Sequence, residues 1–191
     1  PIRDRDLALE KLFKSHRVKW LVYQNNGVVD HLKNRDGWSE RWNKKMYKPI
    51  VQNVNPSKTK RLEIDRHEIG SYKSKIYKVD HQKRYNGGEK NGHDQLNYFL
   101  NSSGKTYSND ISSPLRSEKS CSRLSPYLTF GNLSIRQIIK ATRNRQTELR
   151  ELKSRDGWLK SFSAFSSRLR WHCHFIQKLE MQPDLEYTNM V

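Results

Sequence analysis

The run Cys121-Ser122-Arg123-Leu124-Ser125-Pro126-Tyr127-Leu128-Thr129-Phe130-Gly131-Asn132-Leu133-Ser134 requires the polypeptide to start, stop and restart a helix within 14 residues. Ser122 and Ser125 can offer side-chain oxygens to free backbone N–H groups. Pro126 suits a first helical turn, Gly131 suits a C-cap, and Ser134 can cap a helix from Ile135 onward. The spacing therefore predicts two helix N-termini close together. Such ends, ringed by hydroxyls and with Arg123 beside them, can hold a phosphate or pyrophosphate through unpaired N–H groups and the positive end of the helix dipole. A pair of capped helices with no ligand satisfies the same pattern.

Periodicity extends the helical reading downstream. Ile135, Ile138, Ile139 and Thr142 mark one face of a helix, while Arg136, Lys140 and Arg143 stripe another. The apolar side is expected to pack, and the basic side to meet water or the phosphates of DNA. A longer helix is predicted over 158–179, with Phe162, Phe165, Leu169, His172, Ile176 and Leu179 on its core stripe. Ala164, Arg168, Trp171 and Phe175 share a neighbouring stripe.

Upstream the pattern changes. Asp4 or Asp6 can cap a helix reaching about Ser15, with Leu7, Leu12 and Phe13 toward a core. The run Val18-Lys19-Trp20-Leu21-Val22-Tyr23 then reads as a buried strand, and that order predicts one α/β unit of a parallel sheet. A second helix is expected over 37–46. Residues 48–91 turn polar, with Pro49, Pro56, Gly70, Gly87 and Gly88 and short alternations such as Lys75-Ile76-Tyr77-Lys78-Val79. That stretch exceeds a compact loop and reads as an inter-domain connection, followed by a short helix over 93–100.

Apolar residues make up 34% of the sequence, against about 45–50% in ordinary globular domains, which leaves little material for a self-sufficient core. The 37 Lys and Arg against 20 acidic residues give +17. Such a charge favours a polyanionic partner through steering and counterion release, and nucleic acid is the natural one; a solvated basic surface is the plainer alternative. Cys121 and Cys173 form no disulfide framework, which points to a reducing compartment. No apolar run approaches the roughly 20 residues that span a bilayer.

Several local patterns lead nowhere. His172 and His174 are two residues apart on a predicted helix and so point about 200° apart, which prevents them from closing one tetrahedral metal site. No metal ligands are assigned. Cys121 has no histidine base near it in sequence, and Gly87-Gly88 lacks the Lys-Ser of a phosphate loop. Asn101-Ser102-Ser103 fits a glycosylation sequon, but the basic, disulfide-poor composition argues against secretion.

The run from Cys121 to Ser134 resembles the phosphate-holding stretch of the photolyase and cryptochrome family, which reads Gly-Thr-Ser-Arg-Leu-Ser-Pro-Tyr-Leu-x-Phe-Gly-x-(Ile/Leu)-Ser. Ser120 and Cys121 stand in place of Gly-Thr, and the remainder matches almost without a break. Further stretches agree in order. Gly87-Gly88-Glu89, with Leu96, Phe99, Leu100 and Tyr107 downstream, is similar to the segment leading into the flavin domain. Trp20 to Trp42, with Gly27-Val28-Val29 and Asn34-Arg35-Asp36-Gly37-Trp38, resembles the end of the amino-terminal domain in a bacterial subgroup. Arg168 to Phe175 falls where the family carries its tryptophan-bearing helix.

The resemblance implies an α/β remnant followed by a mainly α-helical domain, a truncated photolyase-like architecture. Beginning at Pro1 and stopping at Val191, the polypeptide reads as an internal fragment, inactive by itself. Residues 1–47 would be the remnant of the amino-terminal antenna-type domain, 48–91 the connection, and 92–191 the first half of the FAD-binding helical domain. Implied at the cofactor are Tyr107, Cys121, Ser122, Arg123, Leu124, Ser125, Phe165, Arg168 and His172. Trp171 and Arg168 would face the lesion pocket, with Arg136, Lys140 and Arg143 toward DNA. No catalytic residue is assignable.

The implied function of the intact protein is light-driven repair of pyrimidine dimers by noncovalent FAD, with room for a second, antenna chromophore. The implied setting is a monomer in a bacterial cytoplasm. Three substitutions depart from the repair pattern. Arg168 stands for a glutamate that hydrogen-bonds the damaged bases, Phe165 for a tryptophan, and His172 for an arginine near the flavin. A guanidinium donates where a carboxylate accepts, so a blue-light photoreceptor is the close alternative. A flavin-free basic module that binds nucleic acid is the further one.

Overall fold

A computed structural model describes residues 2–23, 26–51, 57 and 86–188. Among these the protein is mainly helical and contains no strand. The helices are α1 (Ile2–Ser15), α2 (Trp38–Met46), α3 (Glu89–Asn101), α4 (Tyr107–Asp110), α5 (Pro114–Ser120), α6 (Ser125–Thr129), α7 (Ile135–Glu151) and α8 (Trp158–Met181). They fall into two compact units, one of residues 1–45 with 170–191 and one of residues 46–169. This division does not follow the boundaries expected from sequence. Most of the expected connection over 48–91, including the Lys75–Val79 alternation, lies outside the described residues.

In the first unit, α1 ends on Arg17 in the left-handed region (φ 56°), where the N–H of Val18 donates to Phe13 O at 2.8 Å. The strand expected next is not formed. Residues 18–23 have no regular structure, and Val22 and Tyr23 are 69% and 81% exposed. A strand needs a neighbouring backbone to take its N–H and C=O groups, and no described strand lies beside this one. Trp20 instead stacks on Phe13 of α1, ring centroids 4.8 Å apart. Leu7 and Leu12, expected toward a core, are half exposed.

The unit is held together by α2, the later turns of α8 and the segment 26–31. Trp38 and Trp42, one turn apart on α2, are both buried. Gly27 is enclosed: its N–H donates to Cys173 Sγ at 3.3 Å, its carbonyl accepts from Trp38 Nε1 at 3.1 Å, and a Cβ there would fall 2.0 Å from the Trp42 ring. One turn along α8, Gln177 bonds Val29, and Glu180 accepts from the His31 N–H at 3.0 Å. Cys173, Gln177 and Glu180 thus form a polar stripe that receives backbone. This corrects the core stripe expected for α8: His172 is exposed, Ile176 39% and Leu179 51% exposed, whereas Cys173 and Gln177 are fully buried. Buried peptide groups need hydrogen-bond partners, which hydrocarbon side groups cannot supply.

The second unit is packed more conventionally. Phe99 and Leu96 of α3, Ile135, Ile138 and Ile139 of α7, and Phe162, Phe165 and Leu169 of α8 are all buried. The apolar face expected for α7 is therefore the observed one. Ser134 opens that helix with a capping box, its hydroxyl accepting from the Gln137 N–H while Gln137 Oε1 accepts from the Ser134 N–H. Gly92 allows α3 to approach closely, since a Cβ there would meet Leu133 at 2.9 Å and Tyr127 at 3.2 Å.

Candidate functional site

Between α5 and α7 the backbone folds as its turn residues dictate, with one difference. After Ser120 it extends at Cys121, and Arg123 takes the left-handed region (φ 56°). The Arg123 guanidinium turns back to donate to Glu118 O at 3.0 Å, which satisfies a carbonyl at the end of α5 and complements that helix's negative pole. Leu124, fully buried, pins the loop. α6 then starts with Leu124 at its N-cap and without any capping hydrogen bond from a side group, so neither Ser122 nor Ser125 caps it as expected. Ser125 is itself the first helical residue, which puts its hydroxyl past the capping position. Ser122 contributes backbone instead, its carbonyl accepting from Gln95 Nε2 at 2.9 Å. The stop and restart match expectation: Gly131 is left-handed (φ 68°) just beyond α6, and Ser134 caps α7.

Tyr107 lies beside this loop at the start of α4. Its buried ring meets Phe99 (centroids 5.5 Å, planes 82°) and Phe165 (5.7 Å, 84°) edge to face. Burial pushes its hydroxyl pKa up to about 12, and the neighbouring Cys121 adds to the rise while the Arg168 cation opposes it. Burial likewise pushes the Cys121 thiol up, against the pull of Arg123 and with Asp110 adding to the rise. These neighbours on balance favour the protonated thiol over the thiolate. Tyr107 of α4, Cys121 of the loop after α5, and Phe165 and Arg168 of α8, three places in the sequence, are thus neighbours around the Tyr107 ring and hydroxyl.

Ser161, which sequence reasoning missed, positions the cluster. It is fully buried on α8, donates to Lys105 O at 2.7 Å and accepts from the Ser108 N–H at 3.1 Å. A buried serine on a helix interior gives no periodic signal, because its role depends on a loop it meets only in the fold.

Hydrogen-bond donors gather near Tyr107 and the start of α6. Tyr107 keeps its proton as a hydrogen-bond donor, and the hydroxyls of Ser122 and Ser125 flank the first turn of α6, so hydroxyls and peptide N–H groups are at hand for phosphate oxygens. Arg168 adds positive charge beside Tyr107. Arg123 is committed to Glu118 O.

The other expected site residues are placed differently. Arg136 donates to the carbonyls of Lys48, at 2.9 Å, and Pro49, and the Arg143 guanidinium lies 3.9 Å from the centre of the Tyr47 ring. Both thus tie residues 47–49 to α7, while Lys140 between them is exposed. Trp171 and His172 belong to the first unit. Trp171 is 44% exposed and meets Phe175 edge to face at 5.9 Å. Surrounding protein lowers the pKa of the His172 ring. No described helix is long and apolar enough to cross a membrane. No family model, curated protein or solved structure matches the sequence, so the chemistry of the site rests on the residues themselves.

Proposed function

We propose that this protein supplies part of the FAD-binding helical domain of a photolyase- or cryptochrome-type flavoprotein. The observation that carries the reading is the convergence of Tyr107, Cys121, Phe165 and Arg168, positions that the sequence resemblance implicates in the cofactor site and that are up to 61 residues apart in the sequence. Ser122, Ser125 and the first turn of α6 would hold the cofactor's phosphates, and Tyr107 would flank it as a donor. Bound FAD would supply light-driven one-electron chemistry. The residues here bind, orient and exclude water.

The test is direct. Holding only part of the cofactor pocket, these 191 residues are expected to retain FAD weakly or not at all, whereas the whole flavoprotein is expected to carry flavin absorbance. A whole protein that is colourless and takes up no FAD overturns the proposal. Arg168, a cation where repair needs an acceptor, favours a blue-light photoreceptor over repair within this class. Illumination with dimer-containing DNA separates the two: flavin photoreduction without loss of dimers supports the photoreceptor.

The charge of +17 supports a nucleic-acid partner. Binding to single-stranded DNA should weaken steeply with added salt. Salt-dependent binding by a protein that takes up no flavin would favour the basic module instead.

A further inference from the structure

Three Asn-Gly dipeptides occur in the sequence, Asn26-Gly27, Asn86-Gly87 and Asn91-Gly92. Asn-Gly is the dipeptide most open to spontaneous deamidation, because glycine leaves the following peptide nitrogen unhindered. That nitrogen attacks the asparagine Cγ, a new bond to Cγ forms as the bond from Cγ to the amide nitrogen Nδ2 breaks, and ammonia leaves. Water then opens the resulting succinimide to aspartate or isoaspartate. No oxidant or reductant is involved, and the rate rises with pH because the attacking nitrogen must give up its proton to base.

The fold treats the three sites differently. Gly27 is buried, with its N–H donating to Cys173 Sγ and the Trp42 ring against its Cα. Gly92 is buried inside α3, its N–H donating to Gly88 O at 3.1 Å, and the Asn91 amide is held by Gly87 O at 2.7 Å. Asn86 and Gly87 are both exposed and outside any helix, and a Cβ on Gly87 would meet nothing within 4 Å. A peptide nitrogen fixed in a hydrogen bond cannot reach the asparagine Cγ until the backbone opens locally.

We propose that Asn86 is a modification site, at which the folded protein deamidates selectively through attack by the Gly87 nitrogen. The change has a structural consequence. The backbone carbonyl of Asn86 accepts the Tyr127 hydroxyl at 2.9 Å, which anchors the approach to α3. In isoaspartate that carbonyl becomes part of a branch carboxylate and the backbone runs on through the former side group, so the Tyr127 hydroxyl is left bonded to a branch and no longer anchors the main chain. Each event also places a negative charge just before the positive end of α3.

The test follows the three sites together by peptide mass mapping of the folded protein held at mildly alkaline pH, with isoaspartate read by transfer of a labelled methyl group from a protein isoaspartyl methyltransferase. Deamidation is expected to be about tenfold or more faster at Asn86 than at Asn26 or Asn91 in the folded protein, and of similar rate at all three in urea, where no local opening is needed. Native rates at Asn26 or Asn91 that match Asn86 overturn the proposal, as does an Asn86 that reacts in urea but not when folded. Gly87→Ala, which the open surroundings accommodate, should slow Asn86 alone; an unchanged rate would exclude attack by the Gly87 nitrogen.

Discussion

The terminal amide of Gln177 grips both peptide groups of Val29, its Oε1 accepting from the Val29 N–H at 2.7 Å and its Nε2 donating to the Val29 carbonyl at 2.9 Å. Gln177 is fully buried, so the pair acts like one rung of a sheet ladder in which a glutamine replaces the neighbouring strand. Gln177→Leu keeps the volume but strands two polar groups, each worth about 1–3 kcal/mol when left unpaired in the interior. A loss of about 2–6 kcal/mol in urea unfolding is expected for Gln177→Leu. Ile176→Gln, on the exposed side, should change stability by no more than about 0.5 kcal/mol. Equal effects of the two would mean the grip contributes nothing.

Gly27 gives the second prediction. Gly27→Ala would place Cβ 2.0 Å from Trp42 Cδ1 and 2.5 Å from Nε1, well inside any tolerable contact. The neighbour that must yield is a buried indole rather than a flexible tip. Overpacking of this kind costs about 1–3 kcal/mol or more. Unfolding curves should show the loss together with a change in tryptophan emission; unaltered emission would mean Trp42 does not line Gly27.

The third concerns pH. Arg35 donates to the His174 ring, whose pKa is held low first by burial and then by the Arg35 and Lys178 cations. The rings of Trp38, at 6.0 Å, and Phe175, at 5.4 Å, complete its surroundings. The folded form therefore prefers neutral His174. This contribution is fully present above the unfolded value of about 6.5 and declines as pH falls through it toward the lower folded value. The site is partly open to water, so the effect is small. Between about pH 7.5 and about pH 5.5 the unfolding midpoint should drop more in the native sequence than in His174→Gln. The ring of His172, an exposed residue, is shifted in the same direction by partial desolvation alone, so His172→Gln shows how much of the slope arises without the Arg35 contact. An identical pH slope with and without His174 would rule the contact out as a source of acid sensitivity.

Helices with their own punctuation were legible in the sequence. Ser134 as a cap, Gly131 and the Ile135–Ile138–Ile139 face each specify their structure within a few residues, and each appears where the spacing put it. What failed depended on partners far along the sequence. Residues 18–23 have strand composition, but composition supplies no second strand to pair with. His172, Ile176 and Leu179 fit an apolar stripe, yet α8 turns Cys173 and Gln177 inward because residues 26–31 arrive as backbone in need of partners. Arg136 and Arg143 also meet the segment at Tyr47, Lys48 and Pro49, partners that the basic stripe of α7 does not indicate. Nothing local announces those meetings.

The final prediction tests the site around Tyr107. Tyr107→Phe keeps the ring that packs on Phe99 and Phe165 while removing the hydroxyl, so helicity should be unchanged. If that hydroxyl donates to bound FAD, affinity should weaken by one hydrogen bond, about 0.5–1.5 kcal/mol, or roughly two- to thirteenfold in a flavin fluorescence titration of the whole flavoprotein. Arg168→Glu reverses the charge beside Tyr107, which should raise the tyrosine pKa further by removing the one neighbour that lowers it. It should also weaken flavin binding more than Tyr107→Phe does, because a carboxylate repels phosphate as well as losing a donor. Phe165→Ala provides the contrast: it empties a buried site and should destabilise the unit by about 3–5 kcal/mol, so that any flavin loss follows unfolding. Loss of FAD in Phe165→Ala alone, with Tyr107→Phe and Arg168→Glu binding as the native sequence does, would mean that the cluster is only a core.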